Sequence, residues 1–395
     1  MIYLDHAATT AVHPEVFQEM YPFFMQMYAN PSAAYEFGRD AKIMLQCVRE
    51  TIAESIHARP EEIYFTSGGT EADNWALIGI AEVMKAKGKH IITSSIEHHA
   101  ILRTCHYLEK RGFLVTYLPV NENGEISLED LEKAIRPDTI LISIMFANNE
   151  IGTVMPVKQI GKLAKKHHII FHTDAVQAYL HEKIDVKEMQ IDLLSASGHK
   201  FQGPKGVGFL YVRDGIRLSS FLHGGSQERK KRAGTENVPG IVGLGKAAAI
   251  GIRDFEKNHL HLLAMQKYLT EQITKQIPDC KVNGLAAKHL DNNLSLSFPF
   301  LEAASLIALL DMEQIYISAG SACNSSETKI SHVLQAIGMP KEMARGTIRI
   351  SLGAENTMEE MKYFVKRLVF LAEQLRMFSE ENSIAPKTSV RQRDL

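Results

Sequence analysis

The sequence is poor in cysteine, and its cysteines are scattered. Its 395 residues contain four, at positions 47, 105, 280 and 323, with no CxxC pair among them. Isolated cysteines argue against a disulfide framework and against a zinc cage, so we expect no metal site. Charge of either sign is not in excess, since 44 Lys and Arg face 46 Asp and Glu and give a formal net charge of −2. Nothing in this balance favours nucleic acid as a partner.

Long apolar runs are also missing. No segment approaches the roughly 20 consecutive apolar residues of a membrane-spanning helix. The first ten residues, MIYLDHAATT, lack a basic stretch followed by an apolar one. We therefore expect no membrane segment and no secretory signal, and we expect the protein in the cytoplasm. Hydrophobic residues still make up 45% of the chain, which is enough for a large core or two packed domains.

Between about residues 15 and 255, helical periodicity alternates with short runs rich in Ile, Val and Phe. This alternation is typical of an α/β domain with a mainly parallel sheet. Seven strands are predicted, at 63–65, 90–94, 113–118, 139–146, 168–173, 193–196 and 207–212. The last two are too close together for a helical crossover and are predicted to form a hairpin.

A long helix is predicted over residues 238–277, followed by a smaller α+β domain with strands at 294–298, 315–318 and 347–352. We assign residues 15–255 to a large domain, and 1–14 with 256–378 to a small one. Residues 379–395 are polar without a repeating apolar face, and we expect a flexible tail there.

Three helix starts carry a hydroxyl followed three residues later by a carboxylate. They are Thr70 with Asp73, Ser127 with Asp130, and Thr357 with Glu360. This spacing is typical of a capping box, in which the two side chains bind backbone amides at the helix start.

Polar residues follow five of the predicted strands. These groups are SGGT at 67–70, Glu97 with His98, Asn148 with Asn149, Asp174 with Gln177, and Ser197 to Lys200. Each group alone also fits an ordinary polar loop. Because ligands of open parallel sheets bind beyond the carboxyl ends of the strands, the five together indicate one binding rim.

The SGGT segment suits a phosphate group. Its glycines, including Gly69, allow close approach of the backbone, and the helix that starts at Thr70 presents free amide donors. A plain strand-to-helix turn explains the segment equally well. Neither GxxxxGK[ST] nor GxGxxG is present here, so a nucleotide is not indicated.

Lys200 and Asp174 have the chemistry of a pyridoxal-phosphate site. Lys200 lies between an apolar strand and a glycine turn, where partial loss of water would leave its amine available for a Schiff base. Asp174 ends a buried strand and needs a cationic partner, which a pyridinium nitrogen would supply. His98 is a candidate for the flat group against the ring. A solvated turn lysine and a structural histidine are the alternatives.

The chain resembles the cysteine desulfurases, in the NifS/IscS-like branch of the class V aminotransferases, which are fold-type I pyridoxal-phosphate enzymes. The resemblance covers about residues 1 to 375. It is carried by an ordered series of segments: YLDHAATT, NPSAAYEFGR, FTSGGTEADN, TSSIEHHAIL, ANNEIGTVMPV, FHTDAVQA, SGHKFQGPKGVGFLYV, HGGSQERKKRAGTENVPGIVGLG, SAGSACNSS and TIRISLG.

The resemblance implies a role for each matching residue. Lys200 would hold pyridoxal phosphate covalently, Asp174 would pair with the ring nitrogen, and His98 would stack on the ring and assist proton transfer. The remaining implied contacts are Gly69, Thr70, Ser197 and His199 with the phosphate, Asn149 and Gln177 near the ring hydroxyl, Arg349 and Asn149 with the substrate, and Thr235 with the phosphate of a neighbouring subunit. The pattern therefore also implies a homodimer.

Cys323 lies in SAGSACNSS, a run of small residues that does not pack a core. From composition alone, an inert cysteine is the commoner reading. The resemblance implies instead that Cys323 takes sulfur from L-cysteine as a persulfide, with release of L-alanine, and passes it to a protein acceptor. We read Cys47, Cys105 and Cys280 as packing residues.

Two departures from the family pattern bear on the acceptor. After Cys323 the family commonly has threonine and then a Glu-Pro-Ser stretch, whereas this chain has Asn324 and SSETKIS. The C-terminal tail does not resemble the segment that docks iron–sulfur scaffolds. An iron–sulfur scaffold and a tRNA or cofactor thiolation enzyme therefore fit equally well as acceptors.

Two other functions remain open at this point. A selenocysteine lyase or another class V activity would share the cofactor site, but it would not require a loop cysteine such as Cys323. A cofactor-binding protein without turnover is a rival from a different class, and the presence of every catalytic position argues against it.

Overall fold

The computed structural model describes residues 1–277, 279–299, 301–319 and 330–384, and it shows an α/β protein. The strands are β1 (Ile2–Tyr3), β2 (Ile63–Thr66), β3 (His90–Ser94), β4 (Leu114–Leu118), β5 (Thr139–Ser143), β6 (Ile170–Asp174), β7 (Leu193–Ser197), β8 (Gly208–Val212), β9 (Lys281–Asn283), β10 (Asn293–Ser297), β11 (Ile315–Tyr316), β12 (Ser318–Ala319) and β13 (Thr347–Ser351). The helices are α1 (Pro14–Met20), α2 (Pro22–Met25), α3 (Glu36–Ser55), α4 (Gly69–Met84), α5 (His99–Glu109), α6 (Leu128–Ala134), α7 (Val157–Lys166), α8 (Gln227–Lys230), α9 (Val238–Gln276), α10 (Ala303–Met312), α11 (His332–Ala336), α12 (Lys341–Arg345) and α13 (Met358–Ile384).

The large sheet has seven strands in the order β2-β8-β7-β6-β5-β3-β4. The neighbouring pairs from β7 through β4 are parallel, whereas β8 runs antiparallel to both β2 and β7. The predicted mainly parallel sheet is thus confirmed, and so is the hairpin of its last two strands. Parallel order places the carboxyl ends of β3, β5, β6 and β7 at one edge, where a ligand site is expected.

Both faces of this sheet are buried, and alternate residues of each strand enter different cores. Ile92, Ile142 and Leu194 face the core that includes α3 and α9. Their neighbours Ile91, Leu141 and Leu193 face the core built on α4 and α5. The alternation follows from the two-residue period of a strand, and continuous apolar runs such as Thr139–Ser143 are typical of sheets covered on both sides.

The second sheet is antiparallel and has the strand order β12-β13-β10-β9. It packs on another apolar core. Ile2 and Leu4 belong to this core, and β1 pairs in parallel with β11. The helix α9 joins the two regions, since Leu244 packs in the core of the large sheet and Leu269 in that of the second sheet. The N-terminal segment that follows β1 is thereby held where the two regions meet.

Of the three predicted capping boxes, the described residues form one completely, at Thr357 and Glu360, and only the hydroxyl half of another, at Ser127. Ser127 Oγ accepts the amide of Asp130 at 3.2 Å, and Thr357 and Glu360 bind each other's backbone amides at 2.9 and 3.2 Å. The prediction for Thr70 and Asp73 is wrong. The helix α4 begins one residue earlier, with Gly68 as its N-cap at a φ of 148° that favours glycine. Asp73 therefore points into the protein and is 1% exposed.

Two further differences concern the chain's end and its cysteines. The helix α13 continues to Ile384, past the predicted start of a tail at 379, and residues 385–395 lie outside the described part. Cys105 is buried as expected, but Cys47 is exposed on α3, so it is not a packing residue. Among the described residues, no helix is long and apolar enough to cross a membrane.

Glu97 fixes the turn that leads from β3 to α5. It is fully buried, and its Oε1 accepts the hydroxyl of Ser94 at 2.6 Å and the amide of Met145 at 2.9 Å. Burial raises the pKa of Glu97 to about 8, against the lowering effect of these two hydrogen bonds. A neutral carboxyl group therefore anchors the residue before His98.

This raised pKa predicts a pH-dependent stability. An unfolded Glu97 loses its proton near pH 4.5, whereas the folded one keeps it to about pH 8. The contribution of Glu97 to the stability of the fold is thus fully present below pH 4.5 and is lost as the pH rises to about 8. Glu97→Gln keeps an accepting oxygen but has no group that titrates. The melting temperature of this variant should therefore exceed the parent's by a margin that grows from pH 5 to pH 9.

The matched control is Glu54→Gln, at an exposed position of α3, which should track the parent at every pH. A constant difference between Glu97→Gln and the parent across the same range would contradict the assignment.

Candidate active site

An open cleft of about 880 Å³ lies at the carboxyl edge of the large sheet. It is lined by most of the residues that the sequence singled out: Gly69, Thr70, His98, Asn149, Asp174, Gln177, Ser197, His199, Lys200 and Arg349. Thr235 lies apart from it, on an exposed turn before α9. Cys323 lies outside the described residues.

Lys200 is held by the N-terminal segment. It ends a single 3₁₀ turn after β7, and its Nζ donates to the carbonyl oxygens of Ala7 at 2.6 Å and Ala8 at 2.8 Å. Gln177 Nε2 donates to the same Ala7 oxygen at 3.0 Å. These contacts fix the amine at the middle of the cleft. Sequence reasoning missed Ala7 and Ala8, because they act through backbone atoms that carry no side-chain signal.

One end of the cleft is built for an anion. It is formed by the N-terminus of α4, with Gly69 and Thr70, and by Ser197, His199 and Lys205. A Cβ on Gly69 would lie 2.6 Å from Val176 Cγ2, so only glycine lets the backbone pack this closely. Free amides at the start of a helix attract phosphate groups. Glu71, at the same mouth, is neutralised by Arg232 at 2.8 Å.

The opposite end holds two buried carboxyl groups, Asp174 and Asp73. A carboxylate oxygen of each and a ring nitrogen of His98 lie within 4.8 Å of one another. Asp174 Oδ1 also accepts the amide of Val176 at 2.9 Å. Burial raises the pKa of Asp174, while His98 and Lys200 oppose that rise. Two negative charges are not stable in such a place without a cation, so this end favours a positively charged group.

Two histidines on the rim are neutral near pH 7. His98 is the N-cap of α5, and its Nδ1 accepts the amide of Ala100 at 3.1 Å. The neutral ring therefore carries its proton on the other nitrogen, and burial lowers the pKa of His98. His199 is bonded to Thr9 Oγ1 at 3.1 Å, and burial together with Lys200 lowers its pKa to about 4. Each of these neutral rings can donate one hydrogen bond from its protonated nitrogen.

Arg349 contributes a guanidinium group from the middle of β13. It is 2% exposed, and it donates to Asp5 Oδ1 at 2.7 Å and to the carbonyl oxygen of Asn149 at 3.1 Å. Its Nε has no hydrogen-bond partner among the described residues. The structure thus brings Arg349 to the cleft, but it adds a partner, Asp5, that the sequence did not predict.

Not every polar residue after a strand belongs to the cleft. Asn148 is buried, and it binds the carbonyl oxygen of Ile96 at 2.9 Å and the amides of Glu150 and Ile151 at 2.9 and 3.0 Å. Glu97 has the structural role described above. Both residues shape the loops that carry their neighbours Asn149 and His98 into the cleft.

Pyridoxal phosphate fits this arrangement. Its phosphate matches the helix N-terminus, its pyridinium nitrogen matches the buried Asp174, and its aldehyde carbon requires a lysine between the two. Asp73 Oδ1, which is buried without a hydrogen-bond partner, lies at the end where a cation is favoured. The donor set therefore suits this cofactor from end to end.

Comparison with known proteins gives the family that the sequence resembles. The aminotransferase class-V family matches residues 2–364. Two proteins described as cysteine desulfurase IscS are similar to this chain: that of Methanosarcina thermophila is 52% identical over 378 residues, covering 96% of this chain and 93% of that protein, and that of Clostridium botulinum strain Hall is 50% identical over 380 residues, covering 96% of each.

Solved structures of other proteins are also similar to this chain. A NifS-like protein superposes with a TM-score of 0.89 at 38% identity, covering 94% of this chain and 99% of that one. The structure described as SspA in complex with cysteine gives 0.80 at 40% identity, covering 90% of this chain and all of that one. The chain belongs to the class-V aminotransferase family and, within it, to the pyridoxal-phosphate-dependent cysteine desulfurases.

Proposed function

We propose that Lys200, Asp174, His98 and Cys323 carry the reaction by which this cysteine desulfurase removes sulfur from L-cysteine. The observation that supports the proposal best is the position of Lys200. It lines one cleft with an anion-binding helix start, a buried carboxyl pair and Arg349. A cofactor with a phosphate at one end and a basic nitrogen at the other would present its aldehyde to this lysine.

The residues of the chain have distinct tasks in this proposal. Gly69, Thr70, Ser197 and His199 hold the phosphate, and Asp174 keeps a proton on the ring nitrogen. Bound in this way, pyridoxal phosphate supplies an electron-withdrawing ring that eases loss of the substrate's α-proton. His98 covers the ring and moves protons, with its Nδ1 held by Ala100. Asn149 and Gln177 lie beside the ring hydroxyl.

Cys323 acts as the nucleophile. Its thiolate attacks the sulfur of the substrate, a sulfur–sulfur bond forms, and the carbon–sulfur bond breaks. The carbon keeps the electron pair and takes up a proton, which yields L-alanine and a persulfide on Cys323. Because thiolates and not thiols attack sulfur, Cys323 must be deprotonated at this step.

One assay tests both Cys323 and Lys200. Cys323→Ala should keep the visible absorbance of the lysine-bound cofactor and lose sulfide release from L-cysteine. Lys200→Ala should lose that absorbance, because the other lysine that the described residues bring to the cleft, Lys205, lies with the anion-binding helix start. Sulfide and alanine are measured with purified protein, cysteine, pyridoxal phosphate and a reductant.

The control for the first variant is Cys47→Ala, which removes an exposed cysteine and should leave both readouts unchanged. Undiminished sulfide release from Cys323→Ala would refute its role as nucleophile. Pyruvate and ammonia in place of alanine would identify an elimination instead.

Arg349 is proposed to bind the substrate carboxylate. Its fixed fork can present two parallel donors, because one terminal nitrogen donates to Asp5 and the other to Asn149 and each has a second N–H group. Arg349→Lys keeps the charge but loses the fork, so KM for L-cysteine should rise about 10- to 100-fold, as expected for a hydrogen bond between charged groups. The cofactor spectrum should not change, and steady-state kinetics beside an absorbance scan measure both. An unchanged KM would move carboxylate binding elsewhere.

A homodimer and a protein sulfur acceptor complete the proposal. The helices α1 and α2 and the segment after them expose a cluster of large apolar side chains, namely Phe17, Tyr21, Phe24, Met25 and Tyr28. Such a patch supports association with a second copy. Thr235 is proposed to contact the phosphate in that second copy. The acceptor is an iron–sulfur scaffold or a thiolation enzyme of the cytoplasm, and the IscS names of the relatives support the former.

The dimer is tested by charging this patch. Phe24→Glu together with Tyr28→Glu should shift the mass in light scattering from two chains towards one, since two exposed apolar side chains are replaced by like charges. Met312→Glu, at an equally exposed methionine elsewhere, should leave the mass unchanged. A two-chain mass for the double variant would exclude this patch as the interface.

A further inference from the structure

Asp73 has no role in the reaction as proposed above, although it lies beside the buried end of the cleft. It sits on the inner face of α4 at 1% exposure and lines the cleft with Asp174. Its carboxylate is within 4.8 Å of both Asp174 and His98, and its Oδ1 has no hydrogen-bond partner in the part of the chain that the structure describes. A buried, unpartnered carboxyl oxygen next to a carboxylate requires an explanation.

The groups that face Asp73 provide no fixed positive charge. They are Asp174 and His172 from β6, Glu97 and His98 from the turn before α5, and Ser195 from β7. His172 Nε2 lies 3.7 Å from Asp73 Oδ1, but this ring is bonded to Ser143 Oγ at 2.9 Å and to Ser195 Oγ at 3.0 Å. Burial lowers the pKa of His172 to about 3, so the ring is neutral.

A proton is the remaining way to neutralise one of the two carboxyl groups. Burial raises the pKa of Asp73 well above its usual range, and the nearby Asp174 raises it further. Asp174 has the amide of Val176 and the charge of the nearby Lys200 to favour its charged form. The proton therefore belongs on Asp73 and the charge on Asp174.

We propose that Asp73 is a positioning residue: as a neutral acid it donates a hydrogen bond to the carboxylate of Asp174 and holds that carboxylate towards the ring nitrogen of the cofactor. Asp174 is then fixed by two donors, the Val176 amide and the Asp73 hydroxyl. The site carries one negative charge for one pyridinium, and no second buried charge is left to be neutralised. This inference rests on the proposed role of Asp174.

Two substitutions separate a neutral donor from a charge. Asp73→Asn keeps shape and neutrality, and its amide can donate to Asp174, so the affinity for pyridoxal phosphate should stay within about threefold of the parent. Asp73→Leu has similar bulk but no donor, and its dissociation constant should rise about 10-fold or more, which corresponds to the loss of one hydrogen bond to a charged group. Equilibrium titration of cofactor-free protein, followed by absorbance, measures both.

The visible absorbance gives a second readout that does not depend on turnover. In Asp73→Leu the cofactor spectrum should begin to change with pH at a lower pH than in the parent, because Asp174 is less well fixed on the ring nitrogen. Asp73→Asn should follow the parent. An Asn variant as impaired as the Leu variant would mean that Asp73 acts through a negative charge, and two unimpaired variants would mean that it has no positioning role. Either result overturns the proposal.

Infrared difference spectroscopy on cofactor-free protein tests the proton itself. At neutral pH, Asp73→Asn should remove from the parent's spectrum the carbonyl stretch of one protonated, buried carboxylic acid, while the band of the neutral Glu97 is present in both proteins and cancels in the difference. Asp40→Asn, at an exposed position of α3, should remove no such band. This measurement stands even if Asp73→Leu fails to fold. It also stays separate from the proposed function: failure of the parent to bind pyridoxal phosphate would overturn the role of Asp174 without changing the infrared result, whereas a missing band would overturn only the neutral acid.

Discussion

The buried negative charge of Asp174 is the constraint on which the rest of the active site depends. The residue ends a strand at the middle of the large sheet, where little of its side chain is exposed and a carboxylate is costly without a cation. In the proposed site the ring nitrogen of the cofactor would provide that cation, while the amide of Val176 and the proposed neutral Asp73 hold the carboxylate. The other end of the cleft has the opposite character, because α4 begins there with unpaired amides. In the proposed site these two regions would set the direction in which pyridoxal phosphate binds relative to Lys200.

The N-terminal segment connects this site to the second core. Ile2 and Leu4 pack with the small sheet, Asp5 binds Arg349, and the carbonyl oxygens of Ala7 and Ala8 hold Lys200. Arg349, the proposed site for the substrate carboxylate, and the amine of Lys200 are thus both bound by one short stretch of the chain. Any shift of the small sheet relative to the large one would change the contacts of both Arg349 and Lys200, because the segment between the sheets is short and held by contacts at each end.

Much of the site was predictable because parallel strands give a simple rule. Their carboxyl ends meet at one edge, so Asp174, Ser197 and Lys200 could be placed together from two separate stretches of sequence. The rule also selected Glu97 and Asn148, which turned out to support loops instead of lining the cleft. A residue that follows a strand can point either way, and the direction depends on hydrogen bonds to distant backbone, such as those of Glu97 with Met145.

The sequence by itself determined the alternating pattern of strands and helices, the rim residues and, through its resemblance to a known family, the chemistry and the importance of Cys323. Only the tertiary structure decided that Asp73 lies beside Asp174, that Asp5 pairs with Arg349, and that two alanine carbonyls hold Lys200. The physical reason is that periodicity and capping report contacts along one segment. These three contacts join segments far apart in the chain, and a shift of one residue in the start of α4 turned a predicted cap into a buried acid.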